Sequence, residues 1–193
     1  MKTISISPVW SRLRRRAACL LMDRSGVAAT EFAIIVPIML VMFFGTVEFS
    51  SGVAVDRKVT LMARTLSDLT SQSTSVTDTD FTNFFAASRG IMAPYSSTPT
   101  LSTVSELFVD ASLNVHVQWS KGSSPRAAGS SVTIPTALKV ASTYLIFSEV
   151  SYRYTPAVGY VMAPAGINLS DVAYTRPRQS LCVMYSTTVC TTS

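Results

Sequence analysis

The sequence predicts an α+β chain in which a long amino-terminal transmembrane and amphipathic helix is followed by a small antiparallel β-sheet domain. Three features of the 193 residues predict it. Residues 27–47 are an almost unbroken apolar run, an apolar residue recurs every three or four positions from Val55 to Leu69, and two later stretches have the alternation or composition of strands. With 48% apolar and 14% charged residues and a mean hydropathy of +0.34, the chain is too hydrophobic to be disordered.

The basic character is confined to the amino terminus. Residues 1–26 carry Lys2, Arg12, Arg14, Arg15, Arg16 and Arg24 against Asp23, while the remaining 167 residues carry ten groups of each sign. The net charge of +5 therefore belongs to a leader, and the neutral remainder excludes the basic face that a nucleic-acid binder needs. As a secretory signal the leader fits poorly: its apolar stretch, Ala17 to Met22, is only six residues and Asp23 and Arg24 follow at once. A lipoprotein reading centred on Cys19 lacks the apolar run it needs, because Arg12 to Arg16 stand there. Initiation at Met22 would leave a five-residue leader.

Residues 27–47 hold one charge, Glu31, and are followed by Glu48. At the helical rise this stretch is about 31 Å long, close to the hydrocarbon thickness of a bilayer. From Phe32 to Val47 sixteen residues are uncharged, so no polar face is available to a soluble packing partner. Pro37 is expected to kink the helix, which lipid-embedded helices tolerate. Five arginines precede the segment and a mixed flank follows, so the amino terminus is expected in the cytoplasm and the rest across the membrane, in a bacterium the periplasm of the inner membrane.

At the junction stand Arg24, Ser25, Gly26, Val27, Ala28, Ala29, Thr30, Glu31 and Phe32. This order resembles the processing site of type IV prepilin-like proteins, which implies a cut between Gly26 and Val27 and makes Glu31 residue five of the mature chain. The chemistry is consistent with that implication. Glycine suits a backbone that must extend into a peptidase site, and the small Ala28 and Ala29 permit close approach of another helix. A carboxylate in an apolar helix is expensive and calls for a partner, and cleavage would create one, the α-ammonium of Val27 on a neighbouring subunit, setting axial register. The simpler reading is that Glu31 snorkels at headgroup depth. Taken with Ala33 and Pro37, the whole stretch resembles the TadE/TadG-like family of pseudopilin-type proteins of tight-adherence (Flp) pilus assembly. Residues 174–178, with Arg176, Pro177 and Arg178, resemble an Arg-Pro-Arg ending of those relatives. The resemblance implies a minor, pilin-like assembly component, matured by a prepilin peptidase and partnered by the bilayer and other pilin-like subunits.

After the span, Val55, Val59, Met62, Leu66 and Leu69 form a one-sided stripe, with Asp56, Arg57, Arg64 and Asp68 elsewhere. Residues 48–69 are therefore expected to extend the same helix, and the stripe to pack either on the chain's own globular part or on another subunit. Residues 70–193 are expected to form the exported α+β domain. Within it, residues 70–80 read as a break, Asp80 as the cap of a short helix ended by Gly90 at the C′ position, and residues 94–103 as a loop. Leu113, Val115, Val117 and Trp119 alternate with polar residues as a strand with one buried face. His116 falls on its polar face and is read as an exposed strand residue, with no second histidine to make a metal site. Residues 121–131 read as a connector or hairpin loop, and residues 143–154 as a strand closed by Pro156.

Cys19 would be lost with the leader, leaving Cys182 and Cys190 as an even pair in a polar tail and an oxidising compartment. A disulfide there closes a nine-residue loop and contributes about 2–3 kcal/mol. The spacing is not that of a redox Cys-x-x-Cys pair. No phosphate loop, nucleophile elbow or zinc-protease motif is present, so the expectation is no enzyme and no cofactor. The alternative from another class is a single-pass, membrane-anchored periplasmic binding or sensory module that takes no part in a pilus.

Overall fold

A computed structural model describes residues 25–156, 166–186 and 188–190. The basic leader, Cys19 and Met22 lie outside the described residues. The chain divides into two units, residues 1–47 and 48–193.

Helix α1, Ser25–Ser71, is continuous across 47 residues, two beyond the expected limit at each end, and keeps Pro37 inside it. Proline has no N–H to give the carbonyl of Ala33, so one ladder bond is lost there. In the first unit the apolar side chains point outward all round: Phe32, Ile34, Ile38, Met42 and Phe43 are exposed, and Val41 reaches 73%. Thr30 and Thr46 return their hydroxyl protons to the carbonyls of Val27 and Met42, each at 2.8 Å. These polar groups are thus satisfied within the helix, as an apolar solvent requires.

The second unit is built on a four-stranded antiparallel sheet of order β3-β2-β4-β5, with β2 Thr100–Val109, β3 Val115–Gly122, β4 Thr143–Tyr154 and β5 Ile167–Thr175. A two-residue strand β1, Ser75–Val76, pairs in parallel with β6, Met184–Tyr185. Along β4 successive residues serve opposite faces. Ile146, Val150, Tyr152 and Tyr154 bury the stripe of α1, whose Val55, Val59, Met62 and Leu66 are wholly inaccessible. The stripe thus packs on the chain's own sheet, with Leu69 half-buried at its end. Small hydroxyls permit this close approach: Ser148 donates to the carbonyl of Ala63 at 2.5 Å, and Ser67 to that of Ile146 at 3.3 Å. On the opposite face Leu145 and Phe147 join Leu107, Val109, Val115 and Val117 beneath Ile134.

Several expectations are corrected. Helix α2, Asp78–Arg89, starts earlier than expected because Thr77, not Asp80, is its cap. Asp80 is the third helical residue of a capping box: its carboxylate accepts the Thr77 N–H at 2.9 Å while its own N–H meets the Thr77 hydroxyl at 3.3 Å. Gly90 is right-handed, with φ −59°, and passes the chain into a 3₁₀ turn, Gly90–Met92. The loop expected through residue 103 ends at Thr100, where β2 begins. Leu113 belongs to the β2–β3 turn, exposed and at φ +63°, so the strand opens at Val115. That turn is organised by Asp110, whose carboxylate accepts the Asn114 N–H at 2.8 Å. His116 is half-buried on β3, its imidazole 3.5 Å from Asp110. Residues 123–131 do not link two strands of a hairpin. They fold back along β3, where Val117 N–H reaches the Ser130 carbonyl at 2.9 Å and Ser131 bridges His116.

Candidate functional site

Of the residues singled out at the junction, those from Ser25 to Pro37 lie on the first four turns of α1, and Arg24 lies outside the described residues. Helix α1 begins at Ser25, so Gly26 is helical and not extended, and a Cβ added to it would meet nothing within 4 Å. The chain's own packing therefore does not require glycine at that position. Glu31 and Phe32 are exposed, and among the described residues none donates to the Glu31 carboxylate. A buried or lipid-embedded acid without a donor is costly, so its satisfaction must come from outside the described residues or from the aqueous edge.

A second cluster, absent from the sequence reading, secures the carboxyl-terminal segment. Glu106 of β2 is 1% exposed, cross-strand from Trp119 on β3 and Ile146 on β4. Its Oε1 accepts the N–H of Val183 at 2.6 Å, while the Trp119 indole N–H donates to the Val183 carbonyl at 2.8 Å. One peptide unit on each side of Val183 is thus held from within the core. Burial pushes the Glu106 carboxyl up to about 7, against the opposing pull of the Val183 N–H and the nearby indole. Cys182, the preceding residue, is buried and stands at disulfide distance from Cys190, with Cα atoms 5.7 Å apart. The tail is therefore not the polar appendage its composition suggests, since Cys182 and Val183 are core residues.

The Arg-Pro-Arg stretch has a local task. Arg178 donates its N–H to the carbonyl of Ser71 at 2.9 Å, satisfying an end of α1, and its guanidinium meets Asp68 at 2.5 Å. Further along, the Tyr185 hydroxyl donates to Asp78 at 2.9 Å and Lys121 lies 3.1 Å from the same carboxylate, holding Asp78 below the usual carboxylate range. The sequence carried one usable signal for this cluster, an acid at Glu106 inside a β-prone run. Among the described residues, no three His, Cys, Asp or Glu side chains are grouped to hold a metal ion.

Among known families, the TadE-like protein family model matches residues 26–66, which lie wholly within α1. No curated protein and no solved structure matches the chain. The matched segment includes Gly26, Glu31, Phe32 and Pro37 together with the buried stripe through Leu66. Residues 26–66 are thus similar to the TadE-like family, a family of pilus components, and the helix that carries them is long and apolar enough to cross a membrane once.

Proposed function

We propose that this chain is a minor pseudopilin of Flp-type (type IVb) pilus assembly, with its amino terminus in the cytoplasm and residues 48–193 in the periplasm. A prepilin peptidase would cut between Gly26 and Val27, and the matured helix would dock among other pilin-like helices. The observation that carries the reading is Glu31, an exposed acid in an apolar helix, which no donor among the described residues satisfies. The new α-ammonium of a neighbouring Val27 has the charge and depth to meet it, and in a low-dielectric setting such a pair attracts far more strongly than in water. Gly26 supports the same reading. Its smallness is not needed by its own packing, and as a poor helix former it eases the unwinding of the first turn by about 1 kcal/mol relative to alanine. The positive-inside asymmetry of the leader supports the orientation.

Amino-terminal sequencing of the protein recovered from membranes tests the cut. The expected first residue is Val27, and Gly26→Val is expected to leave the leader attached. Glu31→Ala is expected to insert normally and to impair pilus assembly. Normal piliation with that variant would reject the register role and leave Glu31 as a headgroup residue.

A further inference from the structure

The four-stranded sheet has two edges, and the fold treats them differently. Along β3 the chain folds back as residues 129–132 and closes the edge. The Gly129 N–H donates to the Val117 carbonyl at 2.7 Å, the Val117 N–H to that of Ser130 at 2.9 Å and the Val132 N–H to that of Val115 at 3.1 Å. Along β5 no strand among the described residues pairs on the outer side. β5 meets β4 over nine consecutive pairs, from Ile167 with Tyr154 to Thr175 with Ile146, without a register shift, so its free edge is long and regular. No proline, lysine or bulge blunts it between Ile167 and Thr175. Ile167 is 50% exposed and Val172 47%, so an added strand would cover apolar surface as well. Such an edge selects its occupant, because a row of peptide N–H and C=O groups at strand spacing is matched by another extended backbone and not by a helix.

The charge at the centre of β5 says which strand. Asp171 is the middle residue of Ile167–Thr175 and the one charged residue within it. It lies half-buried on the α1 face of the sheet, cross-strand from Val150 of β4. Its carboxylate accepts the Val172 N–H at 2.8 Å, and no cation is bonded to it among the described residues. Full-length antiparallel pairing with β5 of a second copy is centred on residue 171 and sets two Asp171 carboxylates directly opposite one another, which destabilises the pair. A strand with lysine or arginine at that position gains an opposite-charge pair instead. The edge therefore disfavours its own copy and favours a basic strand from another polypeptide.

We propose that β5 is a docking edge for an extended segment of another protein, which adds a further strand to the sheet and places a basic residue opposite Asp171. The test uses the full chain in dodecyl maltoside micelles and a fluorescent nine-residue peptide of alternating threonine and valine with lysine at its fifth position. This peptide reads the same from either end, so its lysine meets Asp171 whichever way the strand runs. Binding is followed by anisotropy. The lysine peptide is expected to bind about fivefold more tightly than its glutamate counterpart, and Asp171→Lys is expected to reverse that order. Asp171→Asn keeps a carbonyl oxygen for the Val172 N–H and serves should the lysine variant misfold; it is expected to bind the two peptides equally. Methylating alternate peptide nitrogens keeps the side chains, removes the ladder donors and is expected to weaken binding at least tenfold. Equal binding of the methylated peptide would overturn the edge, and equal binding of the lysine and glutamate peptides by the parent would overturn the match to Asp171. Absence of binding by any of the peptides would overturn both. Dimers of the full chain that the lysine peptide dissociates would assign the edge to a second copy and overturn the proposal also.

Discussion

Lowering the pH from 7.5 to 4.5 is expected to stabilise the folded domain, and Glu106 is the reason. Its carboxyl titrates near 7 in the fold against an ordinary value of 4.5, because burial penalises the charged form. The sign follows from linkage. In the window between these values the native state retains a proton that the unfolded chain has released, so stability is fully present below about 4.5 and declines as pH rises through 7. A shift of about 2.5 units corresponds to about 3.4 kcal/mol, or about 7–14 °C in Tm for a domain of this size. Glu106→Gln has the shape of the protonated acid and keeps the carbonyl oxygen that the Val183 N–H needs at 2.6 Å. The variant is expected to match the parent near pH 4.5 and to exceed it at pH 7.5 by about the same amount. Thermal unfolding of both proteins in one detergent and at fixed ionic strength measures this. The difference between the two curves cancels every contribution that the two proteins share. Parallel pH profiles for parent and variant would refute the assignment of a buried, high-pKa acid to Glu106.

Other perturbations test the remaining packing. Met62→Ala empties a wholly buried site between α1 and the sheet and is expected to cost about 2–5 kcal/mol, read as a lower denaturation midpoint with α1 helicity retained. Gly122→Ala is expected to cost about 2 kcal/mol, because φ is +136° and the new Cβ would fall 2.2 Å from the Ser102 carbonyl oxygen; a neutral result in thermal unfolding would reject the close approach. Cys190→Ser is expected to lower stability by about 2–3 kcal/mol in non-reducing conditions, and the same loss is expected when the parent is reduced.

The apolar helix of residues 27–47 was legible in the sequence because one physical demand, a length of apolar helix sufficient for lipid, governs nearly every residue of it. The stripe from Val55 to Leu66 was legible for a related reason: a helix that buries one side repeats at its own period, and here that side meets the sheet. β4 was found over its full length because β-branched and aromatic residues fill it and Pro156 ends it. β2 escaped because it is an inner strand with nine of ten residues buried, so the alternation that marks a half-solvated strand is missing, and its serines and threonines read as loop. β5 escaped for the opposite reason. As an edge strand it buries too little for a pattern to form. The tail escaped because its burial depends on contacts across the whole chain: Val183 is held by side chains 77 and 64 positions away, and no local signal encodes that.

Glu31 and Glu106 show why an acid in apolar surroundings signals different things. Both stand in stretches too hydrophobic to solvate a carboxylate, and local composition treats them alike. Glu106 is answered inside the chain, by a backbone N–H and by a carboxyl that burial drives toward its neutral form, so its cost is carried by the fold and its consequence is a pH-dependent stability. Glu31 has no such answer among the described residues and no packing around it to exclude water or lipid. Its cost falls on the membrane-embedded state, where neutralising it by substitution would ease insertion. Glu106 therefore directs attention to the domain that contains it, and Glu31, on the reading proposed above, to a neighbouring subunit.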